Sequence, residues 1–209
     1  MDSKQMRSCY AVSSQAYLAR AKARLGEESP ASLFYAALEL RCGVEQRLRE
    51  HLEHQDHVSE KLKSGWKIAK LGRTVESAFR LGDRIAEMTF MRKGEVIRRL
   101  YYTPVTSELQ TEAGRLGNYL HAPLIYREPD DPLWVEMEDL LKRVYLGLAR
   151  ANVGTLYGPP LRERSTGLVS VPMVLDETAG ILLDLGVGAD YVLRFEYLDA
   201  LPPELEPTI

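Results

Sequence analysis

Residues 29–53, SPASLFYAALELRCGVEQRLREHLE, predict a long helix near the start of the chain. Ser29 is a preferred N-cap residue, and Pro30 suits the first helical position because its φ is fixed and its missing N–H would be unpaired there. Apolar residues then recur every three or four positions, which places them on one helix face. These residues are Leu33, Ala37, Leu40, Val44, Leu48 and Leu52.

A helix is also predicted before this segment and another after it. Residues 10–25 have helical spacing and end before Gly26, which is suited to closing a helix. The short connection to Pro30 predicts that these two helices are antiparallel. Residues 66–81 predict a third, weaker helix.

Two further helices are predicted in the second half of the chain. Residues 106–121 have helical spacing, and Pro123 stops them because the residue before a proline disfavours the α conformation. Asp131 and Pro132 then open the clearest helix, which closes near Gly154. Its apolar stripe consists of Leu133, Met137, Leu140, Leu141, Val144, Tyr145 and Leu148.

Strands are predicted in two places. Segments 85–91 and 95–102 flank the turn-like RKGE and predict a hairpin, although a helix running through Met91 is an open alternative. Near the C-terminus, TGLVSVPMVL, GILLDL and YVLRFEYL predict a small antiparallel sheet of three strands. The expected fold class is therefore mainly α, an antiparallel helical bundle. A hairpin insertion near residues 84–103 lies within a helical domain of residues 1–156, and residues 157–209 form a β annex and polar tail.

Composition narrows the classes of protein. The chain has 209 residues, 45% hydrophobic and 27% charged, which is enough to bury a core. Its net charge of −3 means that any nucleic-acid contact must use a local basic patch. Cys9 and Cys42 lack the spacing of a disulfide framework or zinc site. No secretory signal or membrane-length apolar run is found, so we expect a cytoplasmic protein without a membrane partner.

Two motifs suggest ligands that we do not expect. LLDLGVGAD, residues 182–190, resembles the glycine motif of nucleotide-fold methyltransferases, but too few residues follow it for that fold, and a hairpin turn is favoured. HLEHQDH, residues 51–57, suggests a metal cluster, but its third histidine rotates away from the first two on a helix. We interpret that segment as a polar helix end and predict no metal and no cofactor.

The hairpin concentrates basic and aromatic residues. Basic side chains interleaved with aromatic rings can bind phosphates and stack on unpaired bases, so this patch is a candidate RNA-binding surface. The alternative is a solvated face whose long side chains cover apolar surface. Next to Arg84, the candidate RNA-binding residues are Arg92, Lys93, Arg98, Arg99, Tyr101 and Tyr102.

The segment GRLGNYLHAP, residues 114–123, carries the candidate catalytic residues. At 100° per residue one stripe of the predicted helix is apolar, and a second is small and polar. The apolar stripe is Leu109, Ala113, Leu116 and Leu120, and the polar stripe is Gly114, Gly117, Asn118 and His121. Because glycine disfavours a helix interior, we expect a second helix or a polynucleotide backbone to approach there.

Arg115 and His121 fit one reaction. In metal-independent RNA cleavage the 2′-hydroxyl attacks the adjacent phosphorus, a base and an acid move protons, and a cation stabilises the developing charge. Arg115 is a permanent cation that can hold a phosphate, and the imidazole of His121 can move a proton. One histidine cannot easily perform both proton transfers at one moment, whereas two copies can. The sequence therefore predicts a homodimer across the glycine-bearing face.

The first two predicted helices form a pair, and the second of them, ALELRCGVEQRLREHLE, is charged. They are followed by RLGNYLH and another long helix. This arrangement resembles the HEPN superfamily over residues 8–156. Many members are metal-independent ribonucleases of toxin or phage-defence systems, and their site forms where two domains dimerise. The resemblance implies that Arg115 binds phosphate, His121 transfers the proton and Asn118 assists. It also implies RNA and an antitoxin or other protein as partners.

Two alternatives stay open at this point. Non-catalytic HEPN-like domains serve as interaction or scaffold modules, and in that alternative the same face binds a partner protein. In a purely structural role, His121 caps helix carbonyls and Arg115 pairs with a carboxylate such as that of Glu112.

Overall fold

A computed structural model of the chain describes residues 10–27, 29–121, 127–162, 166–172 and 190–208. The described helices are α1 Ser14–Leu25, α2 Pro30–Glu53, α3 Glu60–Lys63, α4 Ile68–Phe79, α5 Ser107–Leu116 and α6 Pro132–Ala151. The strands are β1 Ile85–Arg92, β2 Glu95–Tyr102, β3 Leu161–Arg162, β4 Val169–Ser170 and β5 Val192–Leu198, and a 3₁₀ turn covers Pro203–Leu205.

Helix α2 is the centre of the helical layer, and it starts as predicted. Oγ of Ser29 accepts a hydrogen bond from the backbone N–H of Ser32, and Oγ of Ser32 accepts one from the backbone N–H of Ser29, both at 3.2 Å. This reciprocal cap fixes the first turn. Helices α1, α4, α5 and α6 all pack against α2.

Gly43 lies where α1 and α6 both pack against α2. A Cβ at this position would lie 2.7 Å from Cδ2 of Leu148 on α6 and 3.1 Å from Cβ of Tyr17 on α1. A side chain at residue 43 would force Leu148 to move and would crowd Tyr17, so glycine lets α1 and α6 both pack this close to α2.

The main sheet has the strand order β2-β1-β5, with both pairings antiparallel. Lys93 and Gly94 have positive φ values of 51° and 84°, as a two-residue hairpin turn requires. In β1, Met88 stands between Leu100 of β2 and Phe195 of β5. Ala86, Met88 and Phe90 join the hydrophobic core formed with the helices.

The predicted mainly α fold is wrong, because the structure is a mixed α/β arrangement. The hairpin is not a two-stranded insertion, and residues 191–198 do not belong to a separate C-terminal sheet. Instead β5 pairs with β1. The first six residues of β1 are all buried, which is the burial of a central strand. The sequence analysis predicted β1 and β2 only as a hairpin and did not identify β5 as the second neighbour of β1.

Other predicted elements differ locally. Residues 166–172 contribute only β4, which pairs with β3. The predicted strand at 180–185 lies outside the described residues, as does the proposed turn of the glycine motif except for Asp190. The predicted helix 106–121 ends at Leu116. None of the helices in the described part of the chain has the length and apolarity needed to cross a membrane.

Candidate functional site

The predicted catalytic residues lie at and just beyond the end of α5. Leu109, Ala113 and Leu116 bury one face of this helix. After Leu116 the chain continues through Leu120 in tighter turns, with each backbone N–H bonded to the carbonyl three residues earlier. A stripe calculated at 100° per residue therefore does not extend to His121.

Arg115, Asn118 and His121 are all exposed. Across the described ranges, their side chains make no hydrogen bond or ion pair with another protein group. Glu112, the carboxylate expected to neutralise Arg115, instead accepts a hydrogen bond from Nε of Arg143 at 2.6 Å. The guanidinium and imidazole groups thus remain accessible to a ligand.

The two glycines of this segment differ in their surroundings. In the part of the chain that the structure describes, no atom outside the local helix backbone lies within 4 Å of a Cβ built at Gly114. A Cβ at Gly117 would lie 2.5 Å from Nη1 of Arg41, which belongs to α2 of the same chain. The predicted approach of a second helix or a polynucleotide is therefore not needed to explain Gly117, because Arg41 takes the space.

Arg41 begins a row of charged side chains along α2. Its Nε lies 3.4 Å from Oε1 of Glu45, and Oε2 of Glu45 lies 3.9 Å from Nη2 of Arg49. Burial raises the pKa of Glu45, and this effect exceeds the opposite effects of Arg41 and Arg49. We did not predict this row as part of a site, although the spacing 41, 45, 49 places all three residues on one helix face.

The basic hairpin patch is only partly exposed to solvent. Tyr102 is 1% exposed, with its ring centroid 5.0 Å from that of His51 and 5.5 Å from that of Phe79. It packs in the core because it lies two residues from Leu100 on the same strand face, so the expectation that Tyr102 contacts RNA is corrected. Burial and a hydrogen bond to Glu87 raise the pKa of Tyr101 to about 12.

The hairpin arginines lie near partners of their own. Arg99 forms an ion pair with Glu87 at 3.4 Å. The guanidinium carbon of Arg84 lies 5.1 Å from the ring centroid of Tyr197, and that of Arg92 lies 5.7 Å from the ring centroid of Tyr191. Lys93 is exposed at the turn, and Arg98 is half-buried on β2. The six candidate residues therefore do not form one continuous binding face.

The histidines of HLEHQDH do not converge. His51 is completely buried, and its Nδ1 lies 3.1 Å from the carbonyl oxygen of Tyr157, whereas His54 is exposed and stacks on the Tyr157 ring. Burial, helped by the positive charge of Arg47, holds the pKa of His51 well below its usual range. Among the residues that the structure describes, no group of His, Cys, Asp and Glu is arranged to hold a metal ion.

Arg47 stabilises the region beside His51. Its Nε donates to the carbonyl oxygen of Ala151 at 2.8 Å, and its Nη2 donates to that of Gly154 at 2.9 Å. These bonds tie the middle of α2 to the end of α6. The buried charges and hydrogen bonds around Arg47 and His51 thus have a structural role between elements.

Comparisons of the chain with protein-family models, curated proteins and solved structures found no match.

Proposed function

We propose that the protein is a metal-independent endoribonuclease of a prokaryotic toxin or phage-defence system, as the resemblance to the HEPN superfamily implies. The observation that carries the proposal is the position of Arg115, Asn118 and His121, exposed and uncommitted at the end of α5. Arg41 lies against the same turn at Gly117. An arginine, a histidine and an amide are thus available within one short stretch of surface, with Arg41, which pairs with Glu45, beside them.

The reaction needs one proton acceptor and one proton donor. A neutral imidazole removes the proton of the 2′-hydroxyl, whose oxygen attacks the neighbouring phosphorus. The bond from phosphorus to the 5′-oxygen breaks, and a protonated imidazole gives its proton to that leaving oxygen. The products are a cyclic phosphate on one fragment and a 5′-hydroxyl on the other. Arg115 stabilises the negative charge that develops on the phosphoryl oxygens.

We infer that two copies supply the two imidazoles. His121 of one protomer acts as the base, and His121 of the partner subunit acts as the acid. The space around Gly114 supports this arrangement because, among the described residues, no atom outside its own helical turn lies within 4 Å of a Cβ placed there. A small residue on an uncovered helix face lets a second backbone approach closely.

The direct test is RNA cleavage without metal. Purified protein is incubated with total RNA and tRNA in EDTA, together with His121→Ala and Arg115→Ala. Both substitutions are expected to abolish cleavage, because each removes a group acting on the reacting phosphate. His54→Ala and Arg24→Ala change residues of the same types at exposed positions outside the site and should cleave like the wild type.

Mixing experiments test the shared site. When wild-type protein is exchanged with an excess of His121→Ala, activity should fall as the square of the wild-type fraction, because only dimers of two wild-type chains keep both imidazoles. A fall in simple proportion would contradict the two-copy mechanism. Intact RNA in all conditions, from a dimer or a complex with a copurifying protein, would instead favour a non-catalytic interaction module.

A further inference from the structure

A groove lies between α4 and residues 57–62, which include the first residues of α3. Its volume is about 450 Å³, and its lining includes His57, Val58, Leu62, Lys70, Arg73 and Thr74. Lys70, Arg73 and Thr74 occupy neighbouring positions on one side of α4. The groove thus has an apolar floor with cationic and hydroxyl groups, which is suited to a ligand that carries both phosphate and a flat apolar surface.

The groove belongs to the most basic part of the chain. Residues 57–74 include Lys61, Lys63, Lys67, Lys70 and Arg73 but only one acidic residue, Glu60, in a protein of net charge −3. Glu60 pairs with Lys63 at 2.8 Å. Within the described ranges, neither Lys70 nor Arg73 has a carboxylate at ion-pair distance. Their charges are therefore available to an anionic partner.

Trp66 stands immediately before α4 with 62% of its surface exposed. Nζ of Lys67 lies 5.5 Å from the centroid of its ring. An exposed indole with a lysine beside it is suited to single-stranded nucleic acid, since the ring can stack on an unpaired base while cations contact the phosphates.

A chain of contacts connects this region to the candidate catalytic site. The guanidinium of Arg49 donates two hydrogen bonds, each 3.2 Å, to the carbonyl oxygen of Gly65. A Cβ at Gly65 would lie 3.8 Å from Cδ of Lys70. From Arg49 the charged row passes through Glu45 to Arg41 at the Gly117 turn. Along α2 the step from residue 41 to 49 is about 12 Å.

We propose that the groove and Trp66 bind a single-stranded segment of the RNA substrate next to the cleavage site. Lys70 and Arg73 contact its phosphates, Trp66 stacks on an unpaired base, and Arg49 and Arg41 line the path to His121. The inference rests on the proposed function for the identity of the nucleic acid as RNA. It makes the protein selective for unpaired RNA, because a base within a duplex cannot stack on Trp66.

Binding is measured with the full chain carrying His121→Ala, so that the RNA stays intact. The probe is a fluorescein-labelled single-stranded RNA of about 12 nucleotides, and its anisotropy is followed from about 50 to 200 mM salt. Adding Lys70→Ala and Arg73→Ala should lower the slope of log affinity against log salt by about 1.4, since each lost phosphate contact removes about 0.7.

Trp66 is tested separately from the charges. Trp66→Ala should weaken single-strand binding on the order of tenfold, and Trp66→Phe should restore most of it because stacking needs an aromatic face. The duplex of the same sequence should bind more weakly and should not respond to Trp66→Ala. A double variant with Lys22→Ala and Arg24→Ala removes two exposed cations from α1 and should leave the slope unchanged.

An unchanged salt slope in the Lys70 and Arg73 variant, or equal effects of Trp66→Ala and Trp66→Phe, would overturn the inference. Circular dichroism of each variant confirms that the fold is retained. If the wild type cleaves RNA but binding ignores these residues, only this inference fails. If RNA binding depends on them but the wild type never cleaves RNA in EDTA, only the nuclease proposal fails.

Discussion

Nη1 of Arg41 lies 2.5 Å from the position that a Cβ of Gly117 would occupy, so these two residues share one space at the junction of α2 and α5. The atom at this position is the far end of a flexible side chain and not backbone. A larger residue at 117 can therefore displace the guanidinium without forcing the two helices apart.

Gly117→Ala should consequently separate activity from stability. We expect the free energy of unfolding to change by less than about 1 kcal/mol, because only the end of a flexible, partly buried side chain has to move. RNA cleavage should fall, because Arg41 is moved away from the turn that carries Asn118. The rates of Gly117→Ala, Arg41→Ala and the double variant measure this coupling. Additive losses in the double variant would show that the two residues act independently.

Gly114→Ala provides the contrasting case on the same helix. A Cβ at 114 meets no described residue beyond its own helical turn within 4 Å, so the substitution should stabilise α5 by up to about 1 kcal/mol through helix propensity. If two protomers meet through this face, the same methyl group should weaken the dimer. Chemical denaturation and sedimentation equilibrium test the two effects. Increased stability with unchanged association would place the dimer contact elsewhere.

His51 should make stability depend on pH. Because burial lowers its pKa in the folded protein, the folded state binds fewer protons below pH 6.5 than the unfolded chain does. The free energy of unfolding should therefore decrease as pH falls from 6.5, with a slope approaching about 1.4 kcal/mol per pH unit. Denaturation at several pH values should show this component in the wild type and in His57→Gln, which changes an exposed histidine, but not in His51→Gln.

Glu45 should change the pH dependence of stability in the direction opposite to His51, because Glu45 is an acid whose pKa is raised in the folded protein. Its contribution to stability is complete below its ordinary pKa of 4.5 and is lost as pH rises through the higher value in the folded protein. Wild-type stability relative to Glu45→Gln should therefore decrease from pH 4 towards neutrality. Parallel urea titrations of the two proteins measure the difference, and a relative gain for the wild type with rising pH would show that its ion pairs outweigh burial.

The helical layer could be predicted because its signals are local. Ser29 and Pro30 mark the start of α2 within a few residues, and the apolar spacing gives its buried face directly. The same spacing indicates that His51 is buried, because it lies three residues after Leu48 and seven after Val44 on that face. The interpretation of HLEHQDH as a polar helix end is therefore wrong for His51, which is completely buried.

The sheet and the site depend on contacts between distant residues. Alternation within residues 191–198 predicts a strand but does not identify β1 as its partner, since any exposed edge offers the same hydrogen bonds. Arg41 and Gly117 likewise lie far apart in the sequence, in α2 and just after α5. Spacing along one element indicates which residues share a face, whereas the element opposite that face is set by packing.

The pairing of β5 with β1 also affects how the chain folds during synthesis. β1 and β2 leave the ribosome together, but the other edge of β1 has no partner until residues 192–198 have been made. Nascent chains that stop before this point expose a hydrophobic central strand to other strands, which favours aggregation. Folding of the sheet is therefore completed last. A stop codon shortly before residue 190 should strongly reduce the yield of folded protein, although it lies well after α5 in the chain.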